Sequence, residues 1–67
     1  MIAITVNGER REFAHPFAFT QLIEELGLAG KRVAVERNGE IVPRSQFAAR
    51  CIAEGDKLEI VVAVGGG

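Results

Sequence analysis

Apolar and polar positions alternate with a period of two in several stretches of this chain and with a helical period in one. Ile2, Ile4 and Val6 alternate with Ala3 and Thr5, the pattern of a strand that buries one face. Asn7-Gly8 follows, a pair that accepts the positive φ angles of a tight hairpin turn, and Glu9 to Phe13 is predicted to return as a second strand. This register puts Glu9, Arg11 and Phe13 on the face of Val6, Ile4 and Ile2. Either Arg11 snorkels out at a sheet edge or a longer loop shifts the pairing.

The helical stretch comes next. Thr20 is a good N-cap for a helix over Gln21 to Leu26, Gly27 is a natural C′ residue, and Leu28 beyond it supplies the accompanying apolar contact. Leu22, Ile23 and Leu26 fall on one side, with Phe19 at the start, so this stripe is expected to pack on a sheet. Glu24-Glu25 and Arg10-Arg11 read as solvated or dipole-complementing charges.

After a turn at Ala29-Gly30, Val33 and Val35 alternate with Ala34 and Glu36, and a second hairpin signal, Asn38-Gly39, leads into Glu40-Ile41-Val42. Pro43 ends that strand. A compact turn or short helix with Phe47 and Ile52 follows, and Glu54-Gly55-Asp56 turns the chain into a last strand, Lys57 to Val64. The pattern predicts an α+β domain over residues 1–64. Its mixed sheet has four or five strands, with the helix across one face and the final strand parallel and next to the first. Gly65, Gly66 and Gly67 form a flexible tail in this reading, because glycine has no side chain to pack and loses the most backbone entropy on ordering.

Composition narrows the function classes. At 67 residues with 48% apolar content the chain is one small domain, near the lower limit for a core that holds without disulfides or metals. Eight Lys and Arg against nine Asp and Glu leave a net charge of −1, so no cationic field draws nucleic acid or an anionic membrane. No apolar run approaches a bilayer span and Met1 leads directly into strand residues, which points to a soluble, cytoplasmic protein. The single cysteine, Cys51, excludes an intramolecular disulfide and matches a reducing compartment.

The stretch Val33-Ala34-Val35-Glu36-Arg37-Asn38-Gly39-Glu40-Ile41-Val42-Pro43-Arg44, with Glu54-Gly55-Asp56 and the ending Ala63-Val64-Gly65-Gly66-Gly67, resembles the ThiS family, sulfur carriers of thiamine biosynthesis with the β-grasp, or ubiquitin-like, fold. The resemblance covers the whole chain. Asn-Gly-Glu-Ile-Val-Pro-Arg is its specific part, whereas a terminal Gly-Gly is common to ubiquitin-like proteins. It implies that Gly66 and Gly67 are the family's matched pair and that Gly65 adds reach. The Gly67 carboxylate is then adenylated with ATP by a ThiF-like activating adenylyltransferase, and a persulfide donor converts it to a thiocarboxylate. A ThiG-like thiazole synthase accepts the sulfur. The carrier catalyses nothing itself and binds no cofactor; ATP and Mg²⁺ belong to the activating partner.

Other candidates weaken against ordinary structural roles. His15, the only histidine, stands beside Pro16 in a connection with no Cys or second His nearby, so no metal site is assigned. Cys51 is expected to be a half-buried structural thiol near Ile52. Phe13, Phe17, Phe19 and Phe47 are needed for the core of so small a domain. Ser45 lacks a His-Asp arrangement. On the last strand Leu58, Ile60 and Val62 are expected to face the helix, which puts Glu59, Val61 and Ala63 on the open face. Ala34 and Glu36 join them from the neighbouring strand, and this patch is the expected partner interface because it leads directly to the tail. Two further readings use the same fold: a sulfur carrier for molybdopterin or another pathway, and a ubiquitin-like modifier or interaction domain. Free thiocarboxylate favours a carrier and lysine adducts favour a modifier.

Overall fold

The computed structural model describes residues 1–63. Strands β1 (Ile2–Val6), β2 (Glu9–Phe13), β3 (Val33–Arg37), β4 (Glu40–Val42) and β5 (Lys57–Val62) form one sheet in the order β2-β1-β5-β3-β4. Helix α1 (Phe19–Glu25) covers one face, and a single 3-10 turn, Arg44–Gln46, lies in the connection after β4. Strands β1 and β5 are parallel, and the other neighbours are antiparallel. This is the expected β-grasp arrangement, with five strands. Val64 and the tail Gly65–Gly67, expected to be flexible, lie outside the described residues.

The last strand in sequence is the middle strand in space, and both Asn-Gly turns hold it. Asn7 and Asn38 take φ of 52° and 50°, followed by Gly8 and Gly39 at 85° and 88°, the consecutive positive angles of a hairpin turn that matches strand twist. Main-chain bonds join Thr5 N–H to Asp56 O and Asn7 N–H to Leu58 O, each at 2.9 Å. The Asn7 main chain then turns away, and its side chain continues the ladder. Its Oδ1 accepts from Ile60 N–H at 2.8 Å and its Nδ2 donates to Ile60 O at 3.0 Å. Asn38 repeats the device on the other side of β5. Its main-chain N–H donates to Lys57 O at 2.8 Å, and its Oδ1 accepts from Lys57 N–H at 2.9 Å.

The first hairpin settles the position of Arg11. Ile4 pairs with Arg11 and Val6 with Glu9, so the two-residue turn stands. Strand β2 is an edge, and Arg11 is exposed there. An edge strand lined with charges also resists pairing with a second sheet.

Helix α1 begins earlier than expected. Ala18, not Thr20, is the N-cap, and it makes no side-chain capping bond. The first amides donate instead to carbonyls of the later connection, Phe19 N–H to Arg50 O at 3.0 Å and Thr20 N–H to Phe47 O at 3.2 Å. These bonds satisfy helix-start donors that a cap would otherwise serve. The other end follows expectation. Gly27, at φ 75°, donates to Glu24 O, and Leu28 N–H reaches back to Ile23 O, the paired bonds of a Schellman stop. Glu24 and Glu25 therefore sit in the last turn, where they do not complement the helix dipole.

Phe19, Ile4, Leu22, Ile52, Leu58 and Val35 are fully buried between helix and sheet. Phe47 is buried as well, and Phe13 and Phe17 pack against this core from partly exposed positions, in edge contact with each other at 5.0 Å between ring centroids. The four phenylalanines thus serve the core as expected.

One charge enters this apolar frame. Asp56 is only 5% exposed. Its Oδ2 accepts from Ala53 N–H at 2.8 Å and pairs with Arg37 Nε at 3.1 Å, and Asn38 Nδ2 donates to its Oδ1 at 3.4 Å. The Arg37 guanidinium in turn lies 5.8 Å from the centre of the Phe19 ring. Removing the carboxylate strands a half-buried guanidinium and a turn amide. Asp56→Ala is therefore expected to cost about 2–4 kcal/mol in urea unfolding, with Asp56→Asn losing less because it retains an acceptor for Ala53.

Candidate functional site

Strand alternation divides β5 sharply. Leu58 and Ile60 are buried and Val62 is half-buried on the helix side, while Glu59, Val61 and Ala63 are exposed on the other. The register pairs Glu36 with Glu59 and Ala34 with Val61. All five residues expected to form a partner interface thus share one open sheet face. Ala63 is fixed to this frame by donating its N–H to Arg32 O at 2.8 Å.

A sixth member was missed from the sequence. Ile41 pairs with Glu36 across β3 and β4 and is 65% exposed, close to the 64% of Val61. The signal was present: Val42 is the inward residue of a three-residue strand, so its neighbour Ile41 must face outward. Two large apolar side chains left in water on one face have no role in the core.

The charges of the face are also poorly explained by folding. Glu36 and Glu59 are directly opposed, an arrangement that costs roughly a few tenths of a kcal/mol. Neither forms an ion pair among the described residues, where the pairs are Arg10–Glu12 and Arg37–Asp56.

Cys51 departs from expectation. Its thiol is free and exposed, not half-buried. Its backbone bridges to Ala18, and strand-like alternation turns the side chain outward while Ile52, at 1% exposure, takes the core position. His15 is an exposed loop residue, with Nδ1 3.0 Å from Pro16 O. Ser45 is exposed in the 3-10 turn. Among the described residues no three His, Cys, Asp or Glu side chains are grouped to hold a metal ion, and no helix is long and apolar enough to cross a membrane. Gly65, Gly66 and Gly67 lie outside the described residues.

The architecture and its open face now stand beside a decisive match: the sequence model of the ThiS family covers residues 4–67. The chain belongs to the ThiS family. The crystal structure of the thiamine biosynthesis protein ThiS from Geobacter metallireducens is similar to this ThiS-family chain with a TM-score of 0.83 and 35% sequence identity, covering 98% of this chain and all of that one. A thiazole synthase of Paramagnetospirillum magneticum is 48% identical over 64 residues, which is 96% of this chain and 20% of the relative. A thiazole synthase of Magnetococcus marinus is 38% identical over the same length, again 20% of the relative. The chain therefore spans about a fifth of the length of the thiazole synthases it matches.

The two faces of β5 predict opposite responses to one kind of substitution. Val61→Asp is expected to change unfolding free energy by less than about 0.5 kcal/mol, since the added carboxylate stays in water. Ile60→Asp buries a charge against the helix and is expected to abolish cooperative unfolding. Urea titration followed by circular dichroism distinguishes them, and a large loss in Val61→Asp would reverse the assigned facing.

Proposed function

We propose that this chain is a sulfur carrier of thiamine (thiazole) biosynthesis, with the carboxylate of Gly67 as the group that carries sulfur. The observation that supports this most is the ThiS-family match, which extends through Gly66 and Gly67. The open face of β3, β4 and β5 supports it by running up to Ala63, close to those glycines in sequence.

The chemistry needs a tail that another protein can enclose. A glycine terminus has no Cβ to obstruct a narrow channel. Within a ThiF-like adenylyltransferase, a Gly67 carboxylate oxygen attacks the α-phosphorus of ATP and pyrophosphate leaves, giving an acyl-adenylate. Mg²⁺ held by enzyme and nucleotide offsets the phosphate charge. A persulfide sulfur then attacks the acyl carbon and expels AMP. A thiol cleaves the resulting acyl disulfide, which leaves the thiocarboxylate on Gly67 and a new disulfide on the donor side.

A ThiG-like thiazole synthase is the acceptor in this reading. Thiazole synthases that include a stretch similar to this chain lend support. Beyond the reacting Gly67 carboxylate the carrier contributes no catalytic group; its contribution is recognition through Ala34, Glu36, Glu59, Val61 and Ala63, together with the reach of Gly65 and Gly66. A thiocarboxylate and an exposed Cys51 both suit a reducing cytoplasm.

Incubation with the adenylyltransferase, ATP and a sulfur source is expected to replace one oxygen by sulfur at the C-terminus, read by intact mass. Deleting Gly67 withdraws the carboxylate by about 3.3 Å, enough to lose a near-attack geometry. That variant is expected to fold normally and to lose ATP–pyrophosphate exchange. Gly66→Ala is expected to be milder, and Val61→Asp to weaken docking in calorimetry with folding intact. Normal thiolation without Gly67 would reject the mechanism.

The cysteine yields a separate expectation. Cys51→Ser is expected to leave the rate of thiocarboxylate formation unchanged, because the steps proposed at the terminus draw on no thiol of this chain. Lost thiolation in a folded Cys51→Ser protein, measured by the same mass assay, would make Cys51 a sulfur relay.

A further inference from the structure

Asparagine followed by glycine is a chemically unstable pair in an open chain. The glycine nitrogen, unhindered by a neighbouring Cβ, attacks the Asn side-chain carbon. The Cγ–Nδ2 bond breaks, ammonia leaves with the proton of the glycine amide, and a five-membered succinimide forms. Water then opens the ring to aspartate or isoaspartate. This chain has two such pairs, Asn7-Gly8 and Asn38-Gly39, both at the surface. A Cβ built on either glycine would meet nothing within 4 Å, so neither turn is shielded by overlying structure.

Both carboxamides are nevertheless occupied. Asn7 uses its oxygen and its nitrogen on the main chain of Ile60, at 2.8 and 3.0 Å, in a part-buried setting. Cγ of Asn7 reaches Gly8 N only if this two-point clamp opens. Asn38 is held less firmly. Its oxygen accepts from Lys57 N–H at 2.9 Å in an exposed setting, and its nitrogen makes only a long 3.4 Å contact with Asp56 Oδ1.

We propose that Asn7 and Asn38 are deamidation sites gated by the docking of β5, with Asn38 the more reactive in the folded protein. While β5 is seated, each side chain is committed to it and cyclisation is suppressed. When β5 lifts, both pairs become ordinary open-chain Asn-Gly. The product then opposes reseating. A carboxylate at position 7 sets negative oxygen against Ile60 O, where an amide donor had been. A carboxylate at position 38 faces the buried Asp56, and the isoaspartate form adds a main-chain atom to a tight turn. Each lesion loosens the strand that leads to the C-terminal glycines, so the modification ratchets in one direction.

The test follows deamidation at each site by peptide mapping during incubation of the intact chain in mildly alkaline buffer, with and without unfolding urea. Because both hydrogen bonds of the Asn7 carboxamide must break before it cyclises, protection of Asn7 in the folded protein is expected to be roughly fivefold to a hundredfold. Asn38 is expected to be protected less, and unfolding is expected to bring the two rates together. Equal rates at Asn7 with and without urea, or faster loss at Asn7 than at Asn38 in the folded protein, would overturn the proposal. A second measurement uses Asn7→Gly and Asn38→Gly, which keep the positive φ of each turn. Faster hydrogen exchange at Ile60 N–H in the first and at Lys57 N–H in the second is expected. Unchanged exchange would show that the side chains do not clamp β5.

Discussion

The structure depends on seating its last strand in the middle of its sheet. Strand β5 borders β1 on one side and β3 on the other, and it supplies Leu58 and Ile60 to the core. Until it arrives, the two hairpins have no shared edge and α1 has an incomplete floor. Closure therefore requires contacts between the ends of the chain, which places loop-closure entropy ahead of most of the stabilising burial. The ties to β5 are correspondingly dense. Thr5, Asn7 and Asn38 bond its main chain, Asp56 anchors its start through Arg37 and Ala53, and Ala63 is fixed to Arg32 at its far end.

Much of this was legible in the sequence because it is local. Alternation in Ile2-Ala3-Ile4-Thr5-Val6 and in the stretch expected to run from Lys57 to Val64 placed both strands and their faces, although β5 ends at Val62, and the Asn-Gly pairs placed the hairpins. The Gly27 stop was equally clear. What escaped notice depends on distant partners. Thr20 has the right chemistry for a cap, yet carbonyls of Phe47 and Arg50 reach the helix start first. Cys51 resembles a core residue beside Ile52, but its alternating neighbour takes the inward place. The Asn7 and Asn38 carboxamides read as turn formers, and nothing local reveals that they also hold another strand. The open face was legible in its β3 and β5 members through alternation, while Ile41 follows by alternation only once Val42 is known to be the inward residue of its three-residue strand.

That face separates recognition from stability. Its apolar members, Ile41, Val61 and Ala34, are not needed by the core, and its opposed Glu36 and Glu59 slightly disfavour the sheet. A surface with these properties is free to be matched to a partner without disturbing the frame beneath. The core side of the same strands has no such freedom, because Val35, Val42, Leu58 and Ile60 are buried there, and closely packed interiors feel changes of even one methylene.

The capping of α1 by later carbonyls has a consequence for how the chain encodes its helix. The start of the helix is not written at Ala18, whose side chain makes no cap, but downstream, in the connection that carries the 3-10 turn. Residues 43–52 thus act as a template laid against the helix after the fact. No side-chain cap is lost by substitutions at Ala18 that keep its main-chain bonds, whereas a change in the length of that connection would move the two carbonyls that accept from Phe19 and Thr20 and unmake the first turn from a distance.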